Sequence, residues 1–387
     1  MSMRRVAIVG IGYTKIGEHW GRSLRDLFVE AALKAMDDAG VERVDALYVG
    51  NMMSASLQEQ EHLGALLAGD IGLSGIPACK VEAACASGGM SIHQAYLAVA
   101  SGEYDIVMAA GVEKMTDRLT PEVTLSLAMA EDREYVIFSG ATFVGLNALL
   151  HRLYMHKYGA EPEDIALVAV NDHENAVNTP YAHFRNRVSV ETVLSSPMIA
   201  DPIHLFECAP ISDGAAALIL CPLDKARKFT DTPIEIEAST VSTDRLSVHE
   251  RDDPLTLMAI VRAARKAYEK AKIEPKDIDF VESHDAFTIL GVMTLEDLGF
   301  ARKGEGYLLV REGQIARDGR IPMNTMGGLK ARGHPIGATG IYQAVDAVLQ
   351  LRGEAGKNQL SKAERGLIHS MGGVGGTVVI NILRRAD

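Results

Sequence analysis

Residues 85–95 read CASGGMSIHQA and residues 334–344 read HPIGATGIYQA. Set one above the other, Gly88, Ile92, Gln94 and Ala95 fall on Gly337, Ile341, Gln343 and Ala344. A second pair of segments repeats in the same order. EAALKAMDDAGVERVDALYV from Glu30 matches RAARKAYEKAKIEPKDIDFV from Arg262 at Ala31, Ala32, Lys34, Ala35, Ala39, Glu42, Asp45 and Val49. Two Ala-rich helices can agree at a few positions by chance. Two blocks that agree in order, element type and several identities mark a tandem duplication.

Around these blocks, short β-rich apolar runs alternate with helical periodicity, which predicts an α/β fold. The first series has strands at 6–9, 46–49 and 106–110 with helices at 23–39 and 87–100. The second has strands at 234–236, 278–281, 366–368 and 377–383 with helices at 255–271 and 337–351. Duplication then predicts two similar halves, residues 1–225 and 232–387, packed face to face about a pseudo-twofold axis. Residues from about 116 to 198 have no counterpart in the second half. They read as an inserted, mostly helical loop domain that covers a substrate or reaches a neighbouring subunit. Cys85 and His334 occupy equivalent turns, so they are expected to meet near the axis.

Composition narrows the function classes. The 387 residues are 47% hydrophobic and 23% charged, an ordinary globular balance. A formal charge of −12 argues against nucleic acid or anionic membrane as the main partner, although a local basic patch can still hold a nucleotide-bearing ligand. The four cysteines show no CxxC spacing, so a reduced setting is expected rather than a disulfide framework. The opening MSMRRVAIVGIG is too short an apolar run for a signal peptide, and no segment reaches membrane-span length. A cytoplasmic protein is the expectation.

Cys85 stands in VEAACASGGMSIHQA, after a strand-like run and just before an amphipathic helix. A cysteine at a helix N-terminus feels the positive end of the macrodipole, which is expected to lower its pKa and favour the thiolate. Small neighbours leave room for a bulky thioester or a second backbone. The alternative for any free cysteine is a buried structural role, and that is the reading for Cys79, Cys208 and Cys221. A nucleophilic thiol needs a base within reach, and His334 in GGLKARGHPIGATG is the candidate. His284, in VESHDAF, follows a predicted strand at the end where α/β folds gather ligands. It is expected to donate to an oxygen on which negative charge develops, with Asp285 orienting a neighbouring loop. In IHSMGGVGGTVVINIL, two Gly pairs between strands leave backbone N–H groups free to face an oxyanion.

Together these blocks resemble the thiolase superfamily along essentially the whole chain. The motifs are ACASG at Cys85, HDAF at His284, GHPIGATG at His334 and the late GGVGG. SDGAAALIL at 212–220 resembles the strand completing the family's first half, and NDHENAVNTPYAHF at 171–184 resembles a stretch of sterol-carrier-type and archaeal thiolases. The resemblance implies the thiolase fold, two duplicated α/β halves in a five-layered αβαβα arrangement with an inserted loop domain. It also implies an acyl-enzyme on Cys85, formed from an acyl-CoA with His334 activating the thiol. His284 and His334 would form one oxyanion site, and the N–H groups of Cys85 and Gly372 a second. Coenzyme A thioesters are then substrates, with no permanently bound cofactor and no metal.

Two departures from the family pattern matter. Many thiolases have Asn where His284 stands, whereas the sterol-carrier type has His. The second cysteine that removes the α-proton is absent from both usual places, which here read Ser370 and Ala286. Serine is far too weak a base to substitute, so His284, or less favourably His369, is expected to take the role; Ser370 and His369 stand as auxiliary candidates. The resemblance implies an acetyl-CoA C-acetyltransferase that makes or cleaves acetoacetyl-CoA, feeding hydroxymethylglutaryl-CoA and mevalonate synthesis. The alternatives are decarboxylative condensation of the ketoacyl-synthase kind, C-acyl transfer, retro-aldol cleavage, or a weakly active scaffold subunit. Implied partners are a homodimer or homotetramer, hydroxymethylglutaryl-CoA synthase and a small OB-fold protein. Arg185 and Arg187 read as a solvated basic loop more readily than as phosphate ligands.

Overall fold

The computed structural model describes residues 3–386. Its first strand, β1 (Val6–Tyr13), is buried along almost its whole length. Val6 and Ile8 face one apolar cluster while Ala7 and Val9 face another. A strand covered on both faces reads as a continuous apolar run, and VAIVGIGY is one. Helix α1 (Leu24–Ala39) begins at a capping box in which the Ser23 hydroxyl accepts the Asp26 N–H and the Asp26 carboxylate accepts the Ser23 N–H. It ends at Gly40 in the left-handed region.

The elements that follow are β2 (Ala46–Gly50), α2 (Leu63–Asp70), β3 (Ala78–Val81), α3 (Ser87–Ser101) and β4 (Val107–Glu113). Then come α4 (Thr120–Ala128), α5 (Phe143–Tyr158), α6 (Pro162–Ala176) and β5 (Gly214–Pro222). The second series is β6 (Ile234–Thr243), α7 (Met258–Ala271), β7 (Phe280–Glu282), α8 (Thr288–Asp297), α9 (Thr339–Arg352), β8 (Arg365–Gly372) and β9 (Thr377–Arg385). Among the described residues, nine strands form one sheet in the order β3-β2-β4-β5-β1-β6-β9-β8-β7.

Read outward from the centre, the two arms of this sheet are the same. β1 pairs antiparallel with β5, β5 antiparallel with β4, and β4 parallel with β2. β6 pairs antiparallel with β9, β9 antiparallel with β8, and β8 parallel with β7. Even the outermost strand β3, parallel to β2, has its echo in a parallel bridge between Val281 and Met323. The arms join where Ala7 and Ile8 pair with Glu235 and Ile234.

Five layers stack around three large apolar clusters, the middle one lying on both sides of the central helices. α1 packs on one arm's outer face, and α7 with α8 on the other's. The middle cluster holds α3 and α9 between the arms, with Ile92 and Ile341 fully buried there. Each contributes about 1.5–3 kcal/mol by leaving water. The inserted helices α5 and α6 pack onto the second arm, although their sequence interrupts the first: Tyr154, Ile165 and Val168 share a core with Ile260, Leu290 and Val292.

The middle helices approach closely because they meet at glycines. A Cβ on Gly340 would lie 2.2 Å from the Gly89 nitrogen, and one on Gly88 would lie 2.8 Å from the Gly337 oxygen. Gly50 and Gly111 press on that same oxygen from the strand ends. Backbone cannot yield as a side-chain tip can, so Gly340→Ala is expected to destabilise the protein by about 1–3 kcal/mol or more. Thermal unfolding compared with Gly21→Ala, whose site is open, checks this; equal melting temperatures would contradict the close crossing.

Candidate active site

Cys85 is set two residues ahead of α3 by a tight turn in which Ala84 takes a φ of 50°, a left-handed value uncommon for alanine. The Ser87 hydroxyl donates to the Ala84 carbonyl at 2.6 Å and accepts the Ala83 N–H at 2.9 Å. His334 lies in the loop before a short 3-10 turn at Ile336–Ala338 that leads into α9. His284 follows β7 with only Ser283 between them. The glycine crossing brings the three together: the Cys85 sulfur and a ring nitrogen of each histidine all lie within 4.8 Å of one another. The imidazoles of His284 and His334 meet edge to face at 5.1 Å between centroids.

His334 has a defined tautomer. Its Nδ1 lies 2.7 Å from the Thr339 hydroxyl, which itself donates to the Pro335 carbonyl at 3.1 Å. A hydroxyl has one proton to give, so Nδ1 carries the hydrogen and Nε2 keeps its lone pair. Burial, with His284 and Arg332 nearby, holds the His334 pKa well below the usual imidazole range, and burial takes His284 down to about 3. Both rings are neutral at neutral pH.

The thiol is neutral as well, which corrects the expectation from the helix dipole. Burial pushes Cys85 up to about 12; the Gly373 N–H opposes the rise, and the carboxylate of Glu113 adds to it. A helix N-terminus is a fraction of a charge, and full desolvation outweighs it. The site therefore holds a thiol next to an imidazole acceptor, and not a resting thiolate.

The second correction concerns the glycine hairpin. β8 and β9 are joined at Gly373–Gly376, and the N–H that faces the Cys85 sulfur belongs to Gly373, not Gly372. Gly372 instead ends the ladder opposite Thr377 and packs on the Ala83 carbonyl, where a Cβ would lie at 2.3 Å. His369 and Ser370 alternate on β8. The His369 Nδ1 accepts the His284 N–H at 3.3 Å, so it sits behind His284. The Ser370 hydroxyl donates to Gln343 at 2.9 Å in the middle helix layer, where Gly89 and Gly340 crowd it.

A narrow cavity of about 80 Å³ opens over the three side chains. Its walls are apolar, and Leu127 and Phe143 of the inserted segment form one side. Ala286, at one of the places where the family's second cysteine is expected, also lines it. Cys79 is exposed, Cys208 half-buried, Cys221 buried, and all are free thiols. Arg187 is paired with Glu174, and Arg185 reaches the Val177 carbonyl.

Of the supporting groups, Glu113 lies outside every motif quoted above, whereas Asp285 and Arg332 lie within VESHDAF and GGLKARGHPIGATG. Glu113, buried at the end of β4, accepts N–H groups from Asn51, Met52, Met53 and Gly337 at 2.9–3.1 Å. It thereby ties the first arm to the His334 loop. Asp285 accepts the Leu329 N–H at 2.9 Å, steadying the same loop as expected. Arg332, two residues before His334, is fully buried and ion-paired with Asp346 of α9. Removing one partner of such a pair is far more damaging than its net worth suggests.

A Cys–His–His set is also chemically acceptable to zinc. A zinc-bound imidazole needs its other nitrogen fixed by a partner. The His284 Nδ1 is buried without one, so this donor set lacks the support of a metal centre.

The fold, with a buried thiol and two imidazoles meeting where its halves cross, defines a class: acyltransferases of two repeated α/β halves. The chain belongs to the thiolase family. The family model "Thiolase, N-terminal domain" matches residues 6–224, and "Thiolase C-terminal domain-like" matches residues 240–385. It is 51% identical over 385 residues to an acetyl-CoA acetyltransferase of Methanothermobacter thermautotrophicus, covering 99% of this chain and 100% of that one. It is 45% identical over 390 residues to an acetyl-CoA acetyltransferase of Methanocaldococcus jannaschii, covering 98% and 99%. Among solved structures it resembles the Ltp2-ChsH2(DUF35) aldolase, with a TM-score of 0.85, 28% identity and 98% of both chains covered. No helix among the described residues is long and apolar enough to cross a membrane.

A thiol raised to about 12 has a thiolate fraction that grows about tenfold per pH unit well into the alkaline range. Alkylation of the Cys85 peptide by iodoacetamide, followed by mass spectrometry, is expected to accelerate from pH 7 to 10 without a plateau. A plateau near pH 7 would contradict the neutral-thiol site.

Proposed function

We propose that this chain is an acetyl-CoA C-acetyltransferase that joins two acetyl-CoA molecules into acetoacetyl-CoA and free coenzyme A, or runs the reverse thiolysis. The observation that carries the reading is the convergence of Cys85, His334 and His284, with the His334 lone pair left on Nε2. The two relatives at 51% and 45% identity, both acetyl-CoA acetyltransferases, support it.

In the first half-reaction the Cys85 S–H proton passes to Nε2 of His334 as the sulfur attacks the thioester carbonyl. The carbon–sulfur bond to coenzyme A breaks, and its thiolate takes the proton back from His334. The negative oxygen is met by the N–H groups of Gly373 and Cys85, a role assigned to Gly373 in place of Gly372. In the second half, an α-carbon of another acetyl-CoA loses its proton to His284 and attacks the acetyl carbonyl on Cys85; the carbon–sulfur bond breaks, and the departing Cys85 thiolate takes that proton back from His284. A neutral His334 whose Nδ1 carries the hydrogen has no Nε2 N–H to give the enolate oxygen, and His284 acts as the base, so the oxyanion role that the family resemblance implies for this pair is not assigned to them. Among the side chains lining the cavity His284 is the base we assign, since Ser370 is turned into the helix layer and His369 lies behind. The neutral N–H donors of Gly373 and Cys85 suit an oxyanion in a dry site, where each is worth more than in water. The narrow cavity favours a short acyl group.

We further infer a homo-oligomer, working in the cytoplasm and supplying hydroxymethylglutaryl-CoA and mevalonate synthesis, in contact with hydroxymethylglutaryl-CoA synthase and a small OB-fold protein. We also keep residues 1–225 and 232–387 as the two units, with 116–198 as the insertion. A second reading is retro-aldol cleavage of a CoA thioester. The absent second thiol and the likeness to an aldolase complexed with a DUF35 protein favour it.

Cleavage of acetoacetyl-CoA by free coenzyme A decides between them. Acetyl-CoA formation is expected from the wild type and not from Cys85→Ala, with His334→Ala slower by about 10²–10⁴-fold. Cleavage that survives Cys85→Ala, or no cleavage alongside turnover of a β-hydroxyacyl-CoA, would overturn the thiolase reading.

A further inference from the structure

Glu131 has no counterpart in the motifs and no role in the mechanism above, yet it is buried beside the reacting sulfur. It lies in the inserted segment between α4 and α5. Its Oε1 accepts the Val374 N–H at 3.0 Å. The same oxygen lies 3.0 Å from where a Cβ on Gly373 would stand, and the Ala130 carbonyl lies at 3.3 Å. The segment thus presses its backbone and this carboxyl onto the turn whose next N–H, that of Gly373, faces Cys85. Gly373 has a φ of 60°, a conformation that leaves the peptide without steric support of its own. Something outside the turn has to fix its direction.

We propose that Glu131 is a positioning residue of the acyl-transfer step, whose carboxylate grips the Val374 N–H and so keeps the Gly373 N–H aimed at the Cys85 sulfur and the carbonyl bound to it. The inference rests on the Cys85 acyl-transfer reading. No bond is made or broken at Glu131; it acts through the turn. The inserted segment therefore does two things at once: Leu127 and Phe143 wall the cavity, and Glu131 sets one oxyanion donor.

The surroundings make this grip sensitive to pH. The second oxygen, Oε2, is buried without a partner, and the facing Arg251 leaves its own Nη1 unpaired. Burial pushes the carboxyl up to about 7, against the Val374 N–H and Arg251 that hold it down; Asp132 on its own segment adds to the rise. The third charged or titratable neighbour is Cys85, whose thiol Glu131 helps raise. A neutral acid accepts an N–H less strongly than a carboxylate does. The grip is full above pH 7 and loosens as the carboxyl takes a proton below it.

Two measurements on the full chain test this. Hydrogen–deuterium exchange of the peptide spanning Gly372–Gly376 is expected to quicken in Glu131→Ala, and in the wild type as pH falls through 7 after correction for intrinsic exchange. The rate of Cys85 acetylation by acetyl-CoA, followed by mass, is expected to fall in Glu131→Ala toward the loss of about 10²–10³-fold that removal of an oxyanion donor brings. In Glu131→Gln, which keeps an acceptor and the shape, a smaller loss is expected together with disappearance of the acid-side inflection near pH 7. Turn exchange unchanged in a folded Glu131→Ala would overturn the grip. Altered exchange with acetylation at the wild-type rate and pH profile would overturn the positioning role. If the wild type takes no acetyl group the function assigned to Cys85 fails, and with it the positioning role; the exchange result then decides only whether Glu131 grips the turn.

Discussion

The site depends on how closely two helix starts can approach. α3 and α9 belong to different halves of a duplicated chain, and each begins with glycines where they meet. Gly88, Gly89, Gly337 and Gly340 remove the side chains that would otherwise hold the helices apart. Gly50 and Gly111 do the same at the strand ends that face the Gly337 carbonyl. With the backbones in contact, the residues just upstream of each helix meet, and these are Cys85 and His334. The rest of the molecule braces that meeting. The sheet arms close over the helices from both sides, and Glu113 links the first arm to the second helix through the Gly337 N–H. The buried Arg332–Asp346 pair and Asp285 hold the loop that carries His334.

The second organising feature is that the three side chains that meet are neutral. Desolvation raises the thiol and lowers both imidazoles, so none of the three carries charge at rest. A charged thiolate in this dry cavity would need compensation that the walls do not supply. The arrangement instead fixes hydrogen positions: Thr339 sets the His334 tautomer, and the hairpin turn aims the Gly373 N–H. In the proposed reaction charge appears only while protons and electrons move, and the Gly373 N–H already faces the sulfur beside which an oxyanion would form. Such preorganisation is the usual source of most of the rate gain in acyl transfer.

Much of this was legible in the sequence because duplication leaves two readings of the same element. The paired blocks at Cys85 and His334 gave the repeat, and the strand and helix centres followed from apolar runs and periodicity. Strand ends moved outward by a few residues, as in β1, which runs to Tyr13 because both its faces are covered, while the expected starts at 255, 278 and 337 moved inward to Met258, Phe280 and Thr339. What the sequence misjudged depends on three-dimensional detail. The turn conformation decides that Gly373 and not Gly372 faces the sulfur. Burial decides the direction of the Cys85 pKa, while a sequence shows only the helix end. Glu113 and Glu131 carry no motif, since a carboxylate at a strand end or in an irregular segment looks solvated until its surroundings are known. Thr339 and Arg332, inside GGLKARGHPIGATG, are supporting residues whose motif could have pointed to them, as HDAF did to Asp285.

The most direct test of the account is where an acetyl group goes when the protein meets acetyl-CoA alone. The protein would be quenched in acid, digested, and its peptides weighed. The account predicts one hydroxylamine-sensitive acetyl group on the peptide that contains Cys85, and none on those holding Cys79, Cys208 or Cys221. An acetyl group on another thiol, or on none, would mean that the meeting of the two helix starts does not build the acyl-transfer site.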